Sequence, residues 1–238
     1  MKKIILPLAA LLTLGSVQAQ DLKGFLKKAT SLVNGGDSLS TNDVAGGLKE
    51  ALSKGVQQGT AKLSSVDGFF KDAAIKILMP PEAVKAEKTL RGLGLGSQVD
   101  DAILSMNRAA EDASKSASPI FINAIKQMSI EDAWGILKGG DSSATKYLRT
   151  KTTSPLIAAF KPVIDQSLAK VDATKYWNSV VSAYNKVAIF NKINPDLSAY
   201  VTEKALSGIF YEIAQEEVKI RKDPAERTSE ILKKVFGK

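Results

Sequence analysis

The sequence predicts an all-α fold, a single compact bundle of about nine helices over residues 41–238 that follows a cleaved signal peptide and a short amphipathic segment. Two observations predict it. Apolar residues recur at spacings of three and four through almost the whole chain, which is the signature of helices with one buried side. The segments so patterned are also bounded by helix punctuation. Ser129 with Asp132, Ser154 with Pro155, and Asp223 with Pro224 stand at starts, while Gly92, Gly94, Gly139 and Gly140 stand at ends.

Met1–Ala19 has the layout of an export signal: Lys2 and Lys3, an apolar run over Ile4–Gly15, and Val17-Gln18-Ala19 as a small-residue cleavage site, so cleavage is expected between Ala19 and Gln20. The run is too short to cross about 30 Å of hydrocarbon and carries Pro7. Removing this segment lowers the net charge from +8 to +6 and leaves 219 of the 238 residues. With no cysteine there is neither a thiol for lipid attachment nor a disulfide, so a soluble periplasmic or secreted protein is expected. A moderately basic chain outside the cytoplasm favours anionic lipid or acidic glycan over nucleic acid. The acids are interspersed with the bases, however, and a soluble mixed-charge surface is the simpler account of the balance.

Asp21–Val33 reads as a basic amphipathic helix. Leu22, Phe25, Leu26, Ala29, Leu32 and Val33 lie on one side and Lys23, Lys27 and Lys28 elsewhere, a pattern suited either to a membrane surface or to docking on the protein's own core. Residues 34–40 form a linker by composition. The long helix that begins at Thr41 carries Val44, Leu48, Leu52, Val56 and Leu63, and its Gly55-x-x-x-Gly59 predicts close helix packing rather than membrane dimerisation. Val66–Pro81 fits helix or extended chain. Pro81 then opens a helix to Leu93, and the following RGLGLGSQ is a helix-to-helix turn, because a dinucleotide loop would follow a strand and keep a third glycine where Ser97 stands.

Asp100–Ala117 is an alanine-rich helix in which Asn107 and Glu111 share a face. Ser118-Pro119 starts another helix, and Ser129 with Asp132 starts the one that ends at Gly139-Gly140, where glycine supplies the left-handed residue common at helix ends. Asp141 is positioned to cap the next helix by accepting from the amides of Ser143 or Ala144; Ala144, Tyr147 and Leu148 form its buried side, and Thr145 and Arg149 face together on another. Ser154-Pro155 marks a further start, and that helix runs to Val171 with a kink at Pro162. Ala173–Val187 brings an aromatic row, and INPDL leads into the longest helix, to about Arg221, whose apolar positions form more than one stripe and predict a central place. Glu217 and Arg221 read as a solvated i,i+4 pair, and Asp223-Pro224 starts the last helix.

The crowding of helix ends and polar groups in Gly139–Leu156 marks it as the expected functional surface. Asn107, Glu111, Asp141, Thr145 and Arg149 are the expected binding residues. Arg149 is either the partner of buried carboxylates or an exposed ligand contact. Without histidine or cysteine, a Ser-His-Asp triad, a thiol nucleophile and an ordinary zinc site are excluded, and no cofactor or metal is expected. Two-carboxylate glycoside hydrolysis survives, with Glu111 as the catalytic candidate beside Asp132 and Asp141. The favoured reading of Glu111 is structural, as one of a surface pair or of a satisfied buried network that fixes helix register.

The series NRAAEDAS (107–114), GGDSSATKYLRTKT (139–152), LSAYVTEKALSGIFY (197–211) and IRKDPAERTSEILKKVFG (220–237) resembles an uncharacterised family of exported, all-helical bacterial proteins, domain of unknown function 4197. The resemblance runs from about Val44 to Gly237 and implies export and an all-α fold, but no activity and no catalytic residue. Where the family pattern usually has an aromatic, this chain has Leu148. The expected function is therefore a non-enzymatic envelope protein that binds an apolar or amphipathic ligand, a lipid among them, or a partner protein. Glycan hydrolysis through Glu111 is the alternative.

Overall fold

The computed structural model describes residues 40–170 and 196–223, together with Trp177 and Asn185, and all of these lie in one compact unit, Leu39–Lys238. The expected signal peptide, the amphipathic segment 21–33, most of the expected helix 173–187 and the expected helix after Asp223 lie outside the described residues. The helices are α1 (Thr41–Leu63), a 3-10 turn (Pro81–Ala83) leading into α2 (Val84–Gly92), α3 (Gly96–Ser114), α4 (Ala117–Lys126), α5 (Ile130–Lys138), α6 (Ser143–Ala169) and α7 (Leu197–Lys222). The described residues contain no strand, and the all-α class stands. Seven α-helices are described where about nine were expected. One reason is a fusion: Ser154-Pro155 starts no new helix, and α6 runs through both Pro155 and Pro162.

The fusion has a packing cause. From Ala144 every fourth residue is buried, through Leu148, Thr152, Leu156, Phe160, Ile164 and Leu168, so one ridge spans both prolines. Two interior prolines cost about 6 kcal/mol together. Burying Leu156, Phe160, Ile164 and Leu168 at about 1.5–3 kcal/mol each returns about 6–12 kcal/mol, which offsets that cost. At 27 residues, α6 is also longer than the 26-residue α7, which the sequence marks as the longest helix.

Two starts form as local sequence dictates. Ser40 accepts from the Asp43 amide at 3.1 Å while its own amide donates to Asp43 at 3.0 Å, and Ser129 and Asp132 repeat this reciprocal cap at α5. The turn between α2 and α3 is made by Gly94, whose φ of 80° is the left-handed conformation that glycine adopts at least cost. Gly139, by contrast, ends α5 in extended backbone (φ −77°, ψ 174°), not the left-handed conformation expected of it. Glycine is required there by space, because a Cβ would run into the Ser143 side chain.

The central helix is α7, packed against α1, α3 and α6. At its seam with α1 the glycines do what their spacing predicts: a Cβ on Gly55 would lie 3.3 Å from Glu216 Cβ, and one on Gly59 would lie 3.2 Å from Glu212 Cγ. Phe121 of α4 meets Phe210 of α7 edge to face at a centroid distance of 5.7 Å. Residues 64–80 form turns, neither helix nor strand, yet Phe69, Ile75 and Ile77 are buried in the core. None of the described helices is long and apolar enough to cross a membrane.

Candidate functional site

Asn107 and Glu111 come together on α3, and both are directed at the irregular segment 64–80. The Asn107 carbonyl accepts from the Ile77 amide at 2.9 Å, and its Nδ2 donates to the carbonyls of Ile77 (2.8 Å) and Ile103 (2.7 Å). Glu111 Oε1 accepts from the amides of Phe69 (3.1 Å) and Phe70 (3.2 Å), and Oε2 from Arg108 at 2.6 Å. The other arm of Arg108 donates to Asp67 at 2.6 Å, and Asp67 has a φ of 71°. Turn hydrogen bonds within the segment pair the amides of Gly68, Lys71, Asp72, Ile75 and Lys76, and the Asn107 and Glu111 side chains pair those of Phe69, Phe70 and Ile77, which the turns leave over. Lys71, and after it Arg108, hold the Asp67 carboxyl below its ordinary range.

The turn Gly139–Ser142 has a second cluster. Asp141 does not cap α6: it is exposed and pairs with Lys222 at 2.7 Å, which lowers its carboxyl from the usual value. The cap comes from α7. Glu217 accepts from the amides of Ala144 (3.0 Å) and Thr145 (2.9 Å) and from the Thr145 hydroxyl (2.8 Å). Arg221 donates to Glu217 through Nε at 3.1 Å and Nη2 at 2.9 Å, and Nη2 also reaches the Ile136 carbonyl at the end of α5. The Glu217–Arg221 pair, expected in solvent, is thus buried, with side-chain exposures of 3% and 12%. Its carboxylate occupies the α6 N-terminus, where free N–H groups and the helix dipole favour negative charge. Arg149 is exposed one turn beyond Thr145, with its guanidinium 4.3 Å from the Phe210 ring centre.

The opposite face of α6 borders a half-open groove of about 410 Å³, shared with α4 and the start of α5. Tyr147, Lys151 and Pro155, spaced by four, form the α6 wall, which is distinct from the face carrying Thr145 and Arg149. Pro119, Ile120 and Ala124 of α4 are apolar wall, and Asn123, Gln127 and Asp132 form the rim. Gln127 Nε2 reaches Asn123 Oδ1 at 3.4 Å, and the Tyr147 hydroxyl lies 3.5 Å from Asp132. The Ser129 amide and hydroxyl hold the Asp132 carboxyl below its ordinary range, and nearby Lys151 adds to this. Burial, followed by the charge of Asp132, raises the Tyr147 phenol. Pro155 has no N–H, so the Lys151 carbonyl four residues back receives no proline donor. Thr152 at the floor donates to the Leu148 carbonyl at 2.6 Å.

Of the groove residues, only Asp132 is among those singled out in the sequence as carboxylates of interest. Tyr147 reads there as core, since its ring fits the apolar spacing. The available signal was Tyr147-x-x-x-Lys151-x-x-x-Pro155, a row of period four, mixed in polarity, beside the buried ridge. Among the described residues, no cluster of three or more acidic side chains is arranged to hold a metal ion.

Comparison with curated proteins and with solved structures finds no match. A family model matches residues 38–237, a range that contains every one of the sequence motifs, and the chain belongs to that family, described as protein of unknown function DUF4197.

Proposed function

We propose that this chain is an exported, non-enzymatic binding protein of the cell envelope that takes a small amphipathic ligand in the groove between α4 and α6. The observation that carries the reading is the groove itself. It is about 410 Å³, within the range of about 300–1,000 Å³ usual for small-molecule sites, and it joins an apolar wall to a rim of convergent polar groups. Export rests on Met1–Ala19, with cleavage between Ala19 and Gln20, and residues 21–33 provide a peripheral membrane contact. Asp141, paired with Lys222, and Arg149, over the Phe210 ring, are separate exposed polar positions on the α7 side of α6, while Asn107 and Glu111 tie the segment 64–80 to α3.

Binding has more support than hydrolysis through Glu111. Glycoside cleavage uses two carboxyl groups about 5–9.5 Å apart across the scissile bond. Among the described residues the groove is lined by one carboxylate, Asp132, and both Glu111 oxygens already accept hydrogen bonds from Phe69, Phe70 and Arg108. Native mass spectrometry of the full chain purified gently from its own cells tests the reading. A discrete non-covalent adduct, lost when exposed Asn123 is replaced by Trp to fill the groove, is the expected result. An adduct that persists in Asn123→Trp, or a bare mass throughout, overturns it, and the latter points to an envelope protein as partner.

A further inference from the structure

The chemistry of the groove narrows its ligand, given that the groove is the binding site. We propose that the ligand is a neutral saccharide, bound through a C–H face against the α4 wall and through hydroxyls along the rim. The first argument is charge. Asp132 and Lys151 both border the groove, one anionic and one cationic, so an anion that gains Lys151 also meets Asp132, and a cation meets the converse. A ligand without net charge incurs neither penalty.

The second argument is the inventory of donors and acceptors. The contact between Gln127 Nε2 and Asn123 Oδ1 leaves Asn123 Nδ2 as a donor and Gln127 Oε1 as an acceptor, on two side chains one helical turn apart. Lys151 Nζ adds a donor, and Asp132 and the Tyr147 oxygen add acceptors. A fatty acyl chain would leave this mixed rim desolvated and unpaired over most of its length. Hydroxyl groups both donate and accept, so adjacent hydroxyls of a sugar ring can satisfy the planar amides and the carboxylate together.

The third argument is the apolar lining. Pro119, Ile120 and Ala124 of α4 and Pro155 of α6 give the groove its apolar side chains, beside the polar ones. The C–H face of a pyranose is apolar, flat and edged by hydroxyls, which matches an apolar wall bounded by polar groups on the rim.

The test is an NMR titration of the full-length exported chain with neutral trisaccharides built from glucose, galactose or N-acetylglucosamine, with decanoate as the amphiphile for comparison. Saturable shifts of the Asn123 and Gln127 side-chain amides are expected with at least one trisaccharide, at an affinity indifferent to added salt. Asn123→Ala and Gln127→Ala, both at exposed positions, should each weaken it about fivefold to tenfold without changing the melting temperature. Shifts with decanoate alone, sensitive to salt and lost in Lys151→Met, would overturn the saccharide assignment and leave the groove as an amphiphile site. If no probe moves the two amides, both the assignment and the groove reading fall.

Discussion

Replacing Glu217 by alanine tests the central feature of the fold, a helix capped by a side chain more than seventy positions away. In the folded chain this carboxylate receives two backbone amides, one hydroxyl and a two-pronged guanidinium, at 2.8–3.1 Å. Removing one partner of a buried ion pair costs about 3–5 kcal/mol. Each buried amide left without an acceptor costs about 1–3 kcal/mol. The two costs overlap, because water can enter the space vacated, and an expected loss of about 4 kcal/mol follows. A solvated i,i+4 pair would instead be worth about 0.3–0.5 kcal/mol, so the two environments differ nearly tenfold in consequence. Urea denaturation followed by far-UV circular dichroism reads the difference. With a slope of about 3 kcal/mol/M for a chain of this size, the midpoint should fall by about 1.3 M. Arg221→Ala in the same background should add less than it costs alone, because its carboxylate partner is already gone. A loss under about 1 kcal/mol for Glu217→Ala would refute the cap.

Gly208→Ala should destabilise by about 1–3 kcal/mol, since a Cβ there would lie 2.5 Å from Phe69 Cε1; thermal melts of the double variant with Phe69→Leu should recover part of the loss. Asp132→Asn should cost about 1 kcal/mol at neutral pH through the α5 cap. The Asp132 carboxyl is lowered in the folded state, so its contribution is full above the ordinary carboxylate pKa of about 3.9 and is lost as pH falls through the lower folded value; the stability curves of wild type and Asp132→Asn should converge in acid. Tyr147, raised by burial, should ionise later than a free phenol, so stability should fall as pH rises past about 10; burial raises Tyr200 too, so the late step in the ultraviolet titration should shrink, and not vanish, in Tyr147→Phe. Arg149→Ala should cost about 0.5–1 kcal/mol by urea denaturation, the worth of an exposed cation over the Phe210 ring, far below the loss of a buried ion pair.

Features set within one or two helical turns were legible in the sequence. The capping box at Ser129, the glycine turn after α2 and the small-residue seam at Gly55 and Gly59 depend on neighbours in sequence or on the helix's own spacing, and they form as read. Features completed by distant partners were not. Asp141 was the only local carboxylate able to cap α6, and the rule that selects it cannot register Glu217 arriving from α7. Asn107 and Glu111 were visible as a shared face, but their targets are amides of a segment with no regular period. Pro155 after Ser154 is a sound start signal in isolation, and here the ridge from Ala144 to Leu168 overrides it.

That same ridge explains why the proposed site lies beside α6 and not within the bundle. One face of the helix is committed to burial by residues spaced four apart, and its first turn is fixed by Glu217, so this part of α6 cannot shift without breaking the core. Tyr147, Lys151 and Pro155 follow the same spacing on another face, and with residues of the short α4 and the start of α5 they line the groove. A rigid helix with one unfilled face holds a row of side chains in fixed register, which keeps the loss of ligand and side-chain freedom on binding small. Binding and stability are then separable along α6. Substitutions at exposed Asn123, Gln127 and Lys151 should change ligand affinity while leaving the unfolding midpoint in place, and substitutions at Thr145 or Glu217 should do the reverse until the fold is lost.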